Sequence, residues 1–457
     1  MEQRANAHVV IISYPLQGHF GPLVKLSHLL ASHGVKVTFI STEHIHKKVA
    51  SSMAEFRGEK NSLLRLVGMP DGLEDGDDRN DKGKLFMSIS RMMPGLCAEL
   101  LRSQLEKGDK IACVVAVTPV CWALDLAEKM GIKGAIFWCA AAGALASLIS
   151  IPKLIEAGII NDEGLELKNE KVELLPNLPA MDSSEFLWSF PDDPTMQKNT
   201  FQFLCSVRRM LIMKAPWIIT NWFNELHPSA SGLLPKIIPV GPLLTGNHDK
   251  FCGTFWSEDL TCLDWLDKQP EKSVIYIAFG SLAKLSKQQF HEIAHGLVLS
   301  GRPFLWVVRA DLLNDQVLIY PDGFLERSSM FGKIVNWAPQ EEVLAHPSTG
   351  CFVSHCGWNS VMEGMSVGVP FLCWPCFADQ LYAQTCICDA WKIGLKFEKD
   401  KDGLIVRQEI KTKITELFSS DSIKENALKL RNMARESVSE GGTSSRFIKS
   451  FIEQIKS

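Results

Sequence analysis

The sequence predicts an α/β protein of two doubly wound domains facing each other across a cleft. Two series of short apolar strands alternating with helices run along its 457 residues, and a tract rich in proline and glycine separates them. Strand–helix–strand alternation in short repeats builds parallel sheets with helices on both faces. Ligands of such sheets bind at the carboxyl ends of the strands. At roughly 150 residues per domain, the length allows two to three domains, each with its own core.

The first series opens with the strand run His8–Tyr14, a turn at Pro15–His19, and apolar residues at helical spacing from Pro22 to Ser32 (Leu23, Leu26, Leu29, Leu30) closed by Gly34. Val35–Ile40 is the next strand. Ile111–Val117, a helix from about Pro119 to Met130, and Ala135–Trp138 repeat the unit. The second series has strands at Ser273–Phe279, Phe304–Val308, Ile334–Asn336, Cys351–Ser354 and Pro370–Cys373, with a helix at Ser286–Leu299. Between the series, Pro235–Trp256 carries Pro239, Gly241, Pro242, Gly246 and Gly253 without clear periodicity and reads as a linker. The polar tracts Asp71–Lys84 and Asn161–Leu175 read as surface loops. No internal repeat or low-complexity tract is evident.

Composition narrows the function. With 46% hydrophobic and 22% charged residues the chain is neither disordered nor collagen-like. Lys and Arg number 48 against 52 acidic residues, so no basic field invites nucleic acid. No stretch nears the roughly 18 apolar residues of a membrane span, and the N-terminus lacks the basic flank of a signal peptide. Thirteen cysteines, an odd number set among apolar neighbours, read as buried thiols in a reducing compartment. The expectation is a cytoplasmic monomer.

The richest chemistry lies between Trp337 and Gln380, which includes His355-Cys-Gly-Trp-Asn-Ser360, Glu363, Gly368-Val-Pro370, Pro375 and Asp379-Gln380. If Cys351–Ser354 is a strand and Gly357 a tight turn, Asn359 and Ser360 open a helix. Its N-terminal N–H groups and dipole make an anion site, to which His355 adds a donor. Trp337 offers a stacking face, Glu363 an acceptor for hydroxyls, and Asp379-Gln380 partners for a polyol. Phosphate, ring and hydroxyls together suggest a nucleotide sugar. A strand–turn–helix whose polar residues only cap is the alternative reading of the same spacing.

This box of about 44 residues closely resembles the signature of the plant uridine-diphosphate glycosyltransferases. The resemblance extends over nearly the whole chain, including Gly18-His19 with Pro22 and Phe279-Gly-Ser281. It implies two Rossmann-like domains in the GT-B arrangement: residues 1–245 for the acceptor, 246–438 for the UDP-sugar, and 439–457 as a helix returning to the first domain. It further implies that Trp337, with Ala338 beside it, stacks on uracil and that Gln340 and Glu363 hold the ribose. By the same resemblance Ser281, His355, Asn359 and Ser360 hold the diphosphate, and Trp358, Asp379 and Gln380 the sugar. Glutamine at the last position points to UDP-glucose. No metal or other cofactor is expected.

His19 is the candidate base. A lone loop histidine is more often a structural donor, but the resemblance implies that it deprotonates an acceptor hydroxyl for inverting attack on the anomeric carbon. Help of this kind is worth about 100- to 10,000-fold. The family places an aspartate behind that histidine, and here the matching position is Val117. A valine neither accepts the Nδ1 proton nor offsets imidazolium charge. Asp125 lies eight residues on, about 12 Å along a helix, so no partner is assigned.

Three readings stay open: O-glucosylation of an acidic acceptor (phenolic, flavonoid or terpenoid type), C-glucosylation of an electron-rich ring, and UDP-sugar binding with weak catalysis. On the acceptor side Trp138, Phe186, Trp188 and Phe190 are candidates by position, with Trp138 and Trp188 put forward. Two further motifs read as structural. His291-Glu-Ile-Ala-His295 has zinc-site spacing but sits in an ordinary amphipathic helix without a third histidine. Cys373-Trp-Pro-Cys376 lies inside the nucleotide-sugar box and reads as buried thiols.

Overall fold

The computed structural model describes residues 7–53, 63–168, 170–190, 193–245, 253–314 and 319–457. Strands β1 (His8–Ile12), β2 (Lys36–Thr42), β3 (Leu64–Met69), β4 (Ile111–Val117), β5 (Lys133–Trp138), β6 (Trp217–Thr220) and β7 (Ile237–Pro239) form one sheet in the order β3-β2-β1-β4-β5-β6-β7. Strands β8 (Val274–Ala278), β9 (Phe304–Val307), β10 (Gly332–Val335), β11 (Thr349–Ser354), β12 (Phe371–Cys373) and β13 (Gly394–Lys396) form a second, ordered β10-β9-β8-β11-β12-β13. Every pairing is parallel.

The strand sequences explain why. Val9–Ile12 and Cys113–Val117 are unbroken apolar runs, fully buried, as strands covered on both faces must be. In the second sheet Val274, Ile275 and Ile277 are equally enclosed, and Phe290, Ile293, Ala294 and Leu297 of the helix Lys287–Ser300 belong to the same core.

By its contacts the chain divides into two compact units. One comprises Met1–Lys168, Phe190–Trp256 and Ser437–Ser457; the other comprises Asn169–Ser189 and Ser257–Glu436. The last helix, Thr443–Lys456, is part of the first unit. It buries Ile448, Phe451, Ile452 and Ile455, which recur at the spacing of one helix face. The Phe451 ring meets Trp217 edge-on with centroids 5.3 Å apart. The indole N–H of Trp217 donates to Oε1 of Gln454 at 2.9 Å, and the Ser444 hydroxyl donates to the Gly241 carbonyl at 2.6 Å.

Several sequence expectations need correction. The first helix spans Gln17–Ser32 with Pro22 inside it. Proline is a common first residue of a helix, but here the helix begins five residues earlier and His19 is in its first turn rather than in a turn before it. The helix expected from Pro119 splits into a 3-10 turn, Thr118–Val120, and an α-helix, Ala123–Lys129. The expected linker contains β7, whose three residues are too short to show a period. Its residues 246–252, where the domain boundary was expected, lie outside the described residues. The tract Asp71–Lys84 is not wholly a surface loop. Asp71 is buried and accepts from the Arg79 guanidinium at 2.8 and 3.1 Å, and a helix begins at Lys82. Strands β3, β6 and β13 escape a reading based on apolar runs.

Among the described residues no helix is long and apolar enough to cross a membrane. Replacing Phe451 with alanine leaves a cavity in the first unit. It should lower that unit's melting temperature by roughly 6–15 °C while sparing the second unit's transition. Calorimetry that resolves two transitions checks this; equal shifts of both would contradict the assignment of this helix to one unit.

Candidate active site

Each sheet reverses its strand order once, between β1 and β4 in the first unit and between β8 and β11 in the second. The loops leaving such a pair diverge to opposite faces and open a crevice at the carboxyl ends of the strands. Of the residues singled out in the sequence, His19 follows β1, and Ser281 and His355 follow β8 and β11, at these two places.

In the second unit β8 leads into Phe279-Gly280-Ser281 and β11 into His355-Cys356-Gly357. Gly280 has φ +69°, and a Cβ there would stand 2.6 Å from Nε2 of His355. Only glycine lets the two loops close on each other. Burial pulls the pKa of His355 down to about 4, against a smaller opposing pull from the Ala278 backbone, so the ring is a neutral hydrogen-bonding group.

Cys356 takes a left-handed φ of +63°, its N–H donating to the Ser354 hydroxyl at 3.1 Å, and this turn sends the chain into the helix Trp358–Val367. Gly357 occupies the cap position and offers no side chain there, and no acidic residue sits in the first turn. The helix start that carries Trp358, Asn359 and Ser360 therefore suits an anion. The Trp358 ring itself is buried, 6.3 Å from the Trp391 ring, so main chain is what this residue can present to a sugar.

A polar network lies alongside. Gln340, the first residue of the helix Gln340–Ala345, donates through Nε2 to the Ser360 hydroxyl at 2.8 Å and to Oε2 of Glu363 at 2.7 Å. Its Oε1 accepts from the buried Tyr276 hydroxyl at 3.2 Å. The amide is thus held in one orientation, and Gln340 is brought to Ser360 and Glu363, neighbours on one helix that lie 20 and 23 positions away in sequence. Tyr276 was missed by sequence reasoning; its signal is a hydroxyl within the aliphatic strand Val274–Ala278. Trp337 is half-buried and its carbonyl accepts from the Asp259 N–H at 2.9 Å, with Ala338 buried beside it. Next to Asp259 is Glu258, also unforeseen. Burial, with help from Glu342, Glu341 and Glu363, raises its pKa to about 7.

Asp379 and Gln380 begin the helix Asp379–Thr385. The residue before them, Ala378, has φ +56° and ψ −137°, a strained conformation for a side chain with a Cβ. Gln380 pins that bend, its Oε1 accepting from the N–H groups of Cys376 and Phe377 at 2.9 and 3.2 Å. Its Nε2 is the end that remains to meet a ligand. Burial raises the Asp379 pKa to about 7.

In the first unit His19 follows β1 and Val117 ends β4, on either side of the reversal. The His19 ring meets Tyr14 edge-on at 6.0 Å. Burial alone lowers its pKa to about 4, and its enclosed Nδ1 has no hydrogen-bond partner among the described residues. Val117 is fully buried, and Asp125 is engaged with Lys214 at 2.5 Å on the surface. Among the described residues no carboxylate pairs with His19. Trp138, at the end of β5, donates its indole N–H to the Ala141 carbonyl at 3.2 Å and is nearly enclosed. Trp188 belongs to the second unit, stacked on Phe186 at 4.8 Å and equally buried.

The remaining motifs are structural. His291 bonds the Ile319 carbonyl at 2.9 Å and Glu292 pairs with Arg407, so the zinc-like spacing is spent on helix packing. Cys373 is buried with its sulfur 3.7 Å from that of Cys388, but Cys376, expected as a buried thiol, is exposed. Among the described residues no group of three or more His, Cys, Asp or Glu is arranged to hold a metal ion.

Known proteins share this arrangement. The family model described as UDP-glucoronosyl and UDP-glucosyl transferase matches residues 185–440. UDP-glycosyltransferase 83A1 of Arabidopsis thaliana is 40% identical, covering 100% of this chain and 98% of its own. A gallate 1-beta-glucosyltransferase of Quercus robur is 32% identical over 100% of this chain and 91% of its own. A solved UDP-glucosyltransferase from Polygonum tinctorium, capable of glucosylating indoxyl and bound to 3,4-dichloroaniline, superposes with a TM-score of 0.83 at 28% identity, with all of both chains covered.

The neutral histidines have a consequence for stability. The unfolded chain takes up the His19 proton near its ordinary pKa of 6.5, the folded chain only near 4. Stability is therefore full above pH 6.5 and is lost as pH falls through that window. Replacing His19 with asparagine, which does not titrate, should shrink the fall of the first unit's melting temperature between pH 6.5 and 4, leaving the share of His227, whose burial lowers its pKa to about 3. Parallel profiles for the two proteins would show that another group is responsible.

Proposed function

The chain belongs to the UDP-glucoronosyl and UDP-glucosyl transferase family and is a UDP-glycosyltransferase with the GT-B fold, and on that premise we propose that it moves glucose from UDP-glucose to an acidic O–H group of a small hydrophobic acceptor, with inversion. The first unit takes the acceptor through His19, and the second holds the donor. In the donor site Trp337 and Ala338 receive the uracil, and Gln340 with Glu363 the ribose. Ser281, His355 and the helix start at Trp358–Ser360 receive the diphosphate. Asp379 and Gln380 receive the sugar hydroxyls; Trp138 and Trp188, expected from the sequence to line the acceptor, are enclosed in the cores instead, Trp188 in the second unit. The neutral His355 and the uncharged helix start leave the diphosphate to main-chain donors and the helix dipole, which grip an anion without a metal.

The observation that carries the choice of acceptor is the unpartnered, buried Nδ1 of His19. A base with a pKa near 4 and no carboxylate paired with it among the described residues is weak. It removes a proton efficiently only from a group that gives it up readily, or assists one already ionised. Without a partner for Nδ1 the tautomer is also unfixed, so only molecules carrying the proton on Nδ1 present a basic Nε2. Phenols and carboxylic acids suit such a site better than simple alcohols. Relatives named for glucosylating gallate and indoxyl support both glucose and this acceptor class.

Incubating UDP-glucose with a panel of phenols, flavonoids and terpenoid acids and following products by mass spectrometry should give hexose adducts, which His19→Ala abolishes or cuts by at least about 100-fold for phenols. Fragmentation separates O-linked from C-linked sugar; C-linked adducts would overturn the proposed bond. Survival of the phenol adducts in the variant would remove His19 as the base. Separately, Val117→Asp should raise kcat on phenols by about tenfold or more, by supplying the missing carboxylate and lifting the histidine pKa. An unchanged or lower kcat in a folded variant would count against an impaired dyad.

A further inference from the structure

The helix Asp379–Thr385 has seven residues, starts directly after the strained Ala378 and runs into a π-helical turn at Cys386–Ala390. So short a helix does not hold its own position; surrounding chain has to. Two hydrogen bonds from its C-terminal half do this. The hydroxyl of the buried Tyr382 donates to the Pro179 carbonyl at 3.2 Å, and the Thr385 hydroxyl donates to Oε1 of Glu185.

Glu185 is fixed in turn. Its Oε2 accepts the Asp182 N–H at 2.7 Å, while the Asp182 carboxylate accepts the Ser184 N–H at 3.1 Å. Together these close the 3-10 turn Ser183–Glu185 as a capping box. One carboxylate therefore serves two purposes, organising its own loop and anchoring the helix that begins with Asp379 and Gln380. The segment that does so, Asn169–Ser189, precedes the rest of its unit by some 70 residues of chain yet belongs to that unit.

We propose that Glu185 and Thr385 are a positioning pair that sets the sugar-facing helix and so tunes affinity for the sugar half of the donor, leaving the nucleotide half untouched. This rests on the reading of Asp379 and Gln380 as sugar ligands. The nucleotide set hangs from other elements: β8, β11 and the helices Gln340–Ala345 and Trp358–Val367. A shift of the short helix moves the sugar contacts and spares those of UDP.

The test compares KM for UDP-glucose, kcat, and Kd for UDP by calorimetry in Thr385→Val, Thr385→Ser, Glu185→Ala and the Val/Ala double variant, with Asp379→Ala as control. Thr385→Val and Glu185→Ala should each raise KM by about three- to tenfold, with kcat less affected and Kd for UDP within about twofold. Thr385→Ser, which keeps the hydroxyl, should match the unmodified enzyme, and the double variant should be no worse than the worse single one. An unchanged KM in Thr385→Val, a UDP Kd that moves as far as KM, or additive losses would overturn the pair. Should Glu185→Ala fail to fold, Thr385→Val, nearly the same shape, decides alone. If Asp379→Ala leaves KM unmoved, the sugar assignment itself falls. If it raises KM while Thr385→Val does not, only the positioning pair falls.

Discussion

Strands buried on both faces have nowhere to meet a ligand except at their ends, and in a parallel sheet the carboxyl ends all lie on one edge. That constraint organises both units. The central strands are almost wholly apolar, Ser354 at the end of β11 being a buried exception, and polar residues gather in the loops that follow. Where strand order reverses, two neighbouring loops part, and the chain places its chemistry there: Ser281 and His355 in one unit, His19 in the other. Where they leave β8 and β11 the loops touch, Gly280 lying against the His355 ring with no room for a side chain.

Burial then decides the charge states. His19 and His355 lose their positive charge at neutral pH because desolvation disfavours the ion. The same force raises Asp379 and Glu258 to near 7, so carboxylates that would be fully ionised in water titrate around neutrality. Many glycosyl-transfer sites would offset the histidine effect with a buried aspartate. In this chain Val117 lies at that place, and the histidine keeps the low basicity that burial imposes. In the second unit the polar groups are held by one another, with the Tyr276–Gln340–Glu363 network as the clearest instance.

Legibility followed the length scale of each feature. Strands of four or more aliphatic residues announced themselves, as did the helix opened by Gly357, because glycine and apolar periodicity are local signals. β7, with three residues between prolines, carried no period, and the start of the first helix was misjudged because Pro22 imitates a helix start. Asp71 sits in a polar tract and looked solvated; its burial depends on Arg79 folding back over it, which composition does not reveal.

The sequence by itself determined the two-sheet class, the family resemblance carried by the box from Trp337 to Gln380 and the absence of an aspartate at position 117. These are consequences of residue type and of spacing along one strand or helix. Only the tertiary structure decided that the Trp358 ring is core while its main chain opens a helix, that Tyr276 orients Gln340, and that Asn169–Ser189 groups with the second unit to anchor the helix of Asp379. Each of those depends on contacts between residues dozens to hundreds of positions apart. Such contacts form only when sheets and helices have packed, and no local pattern encodes them.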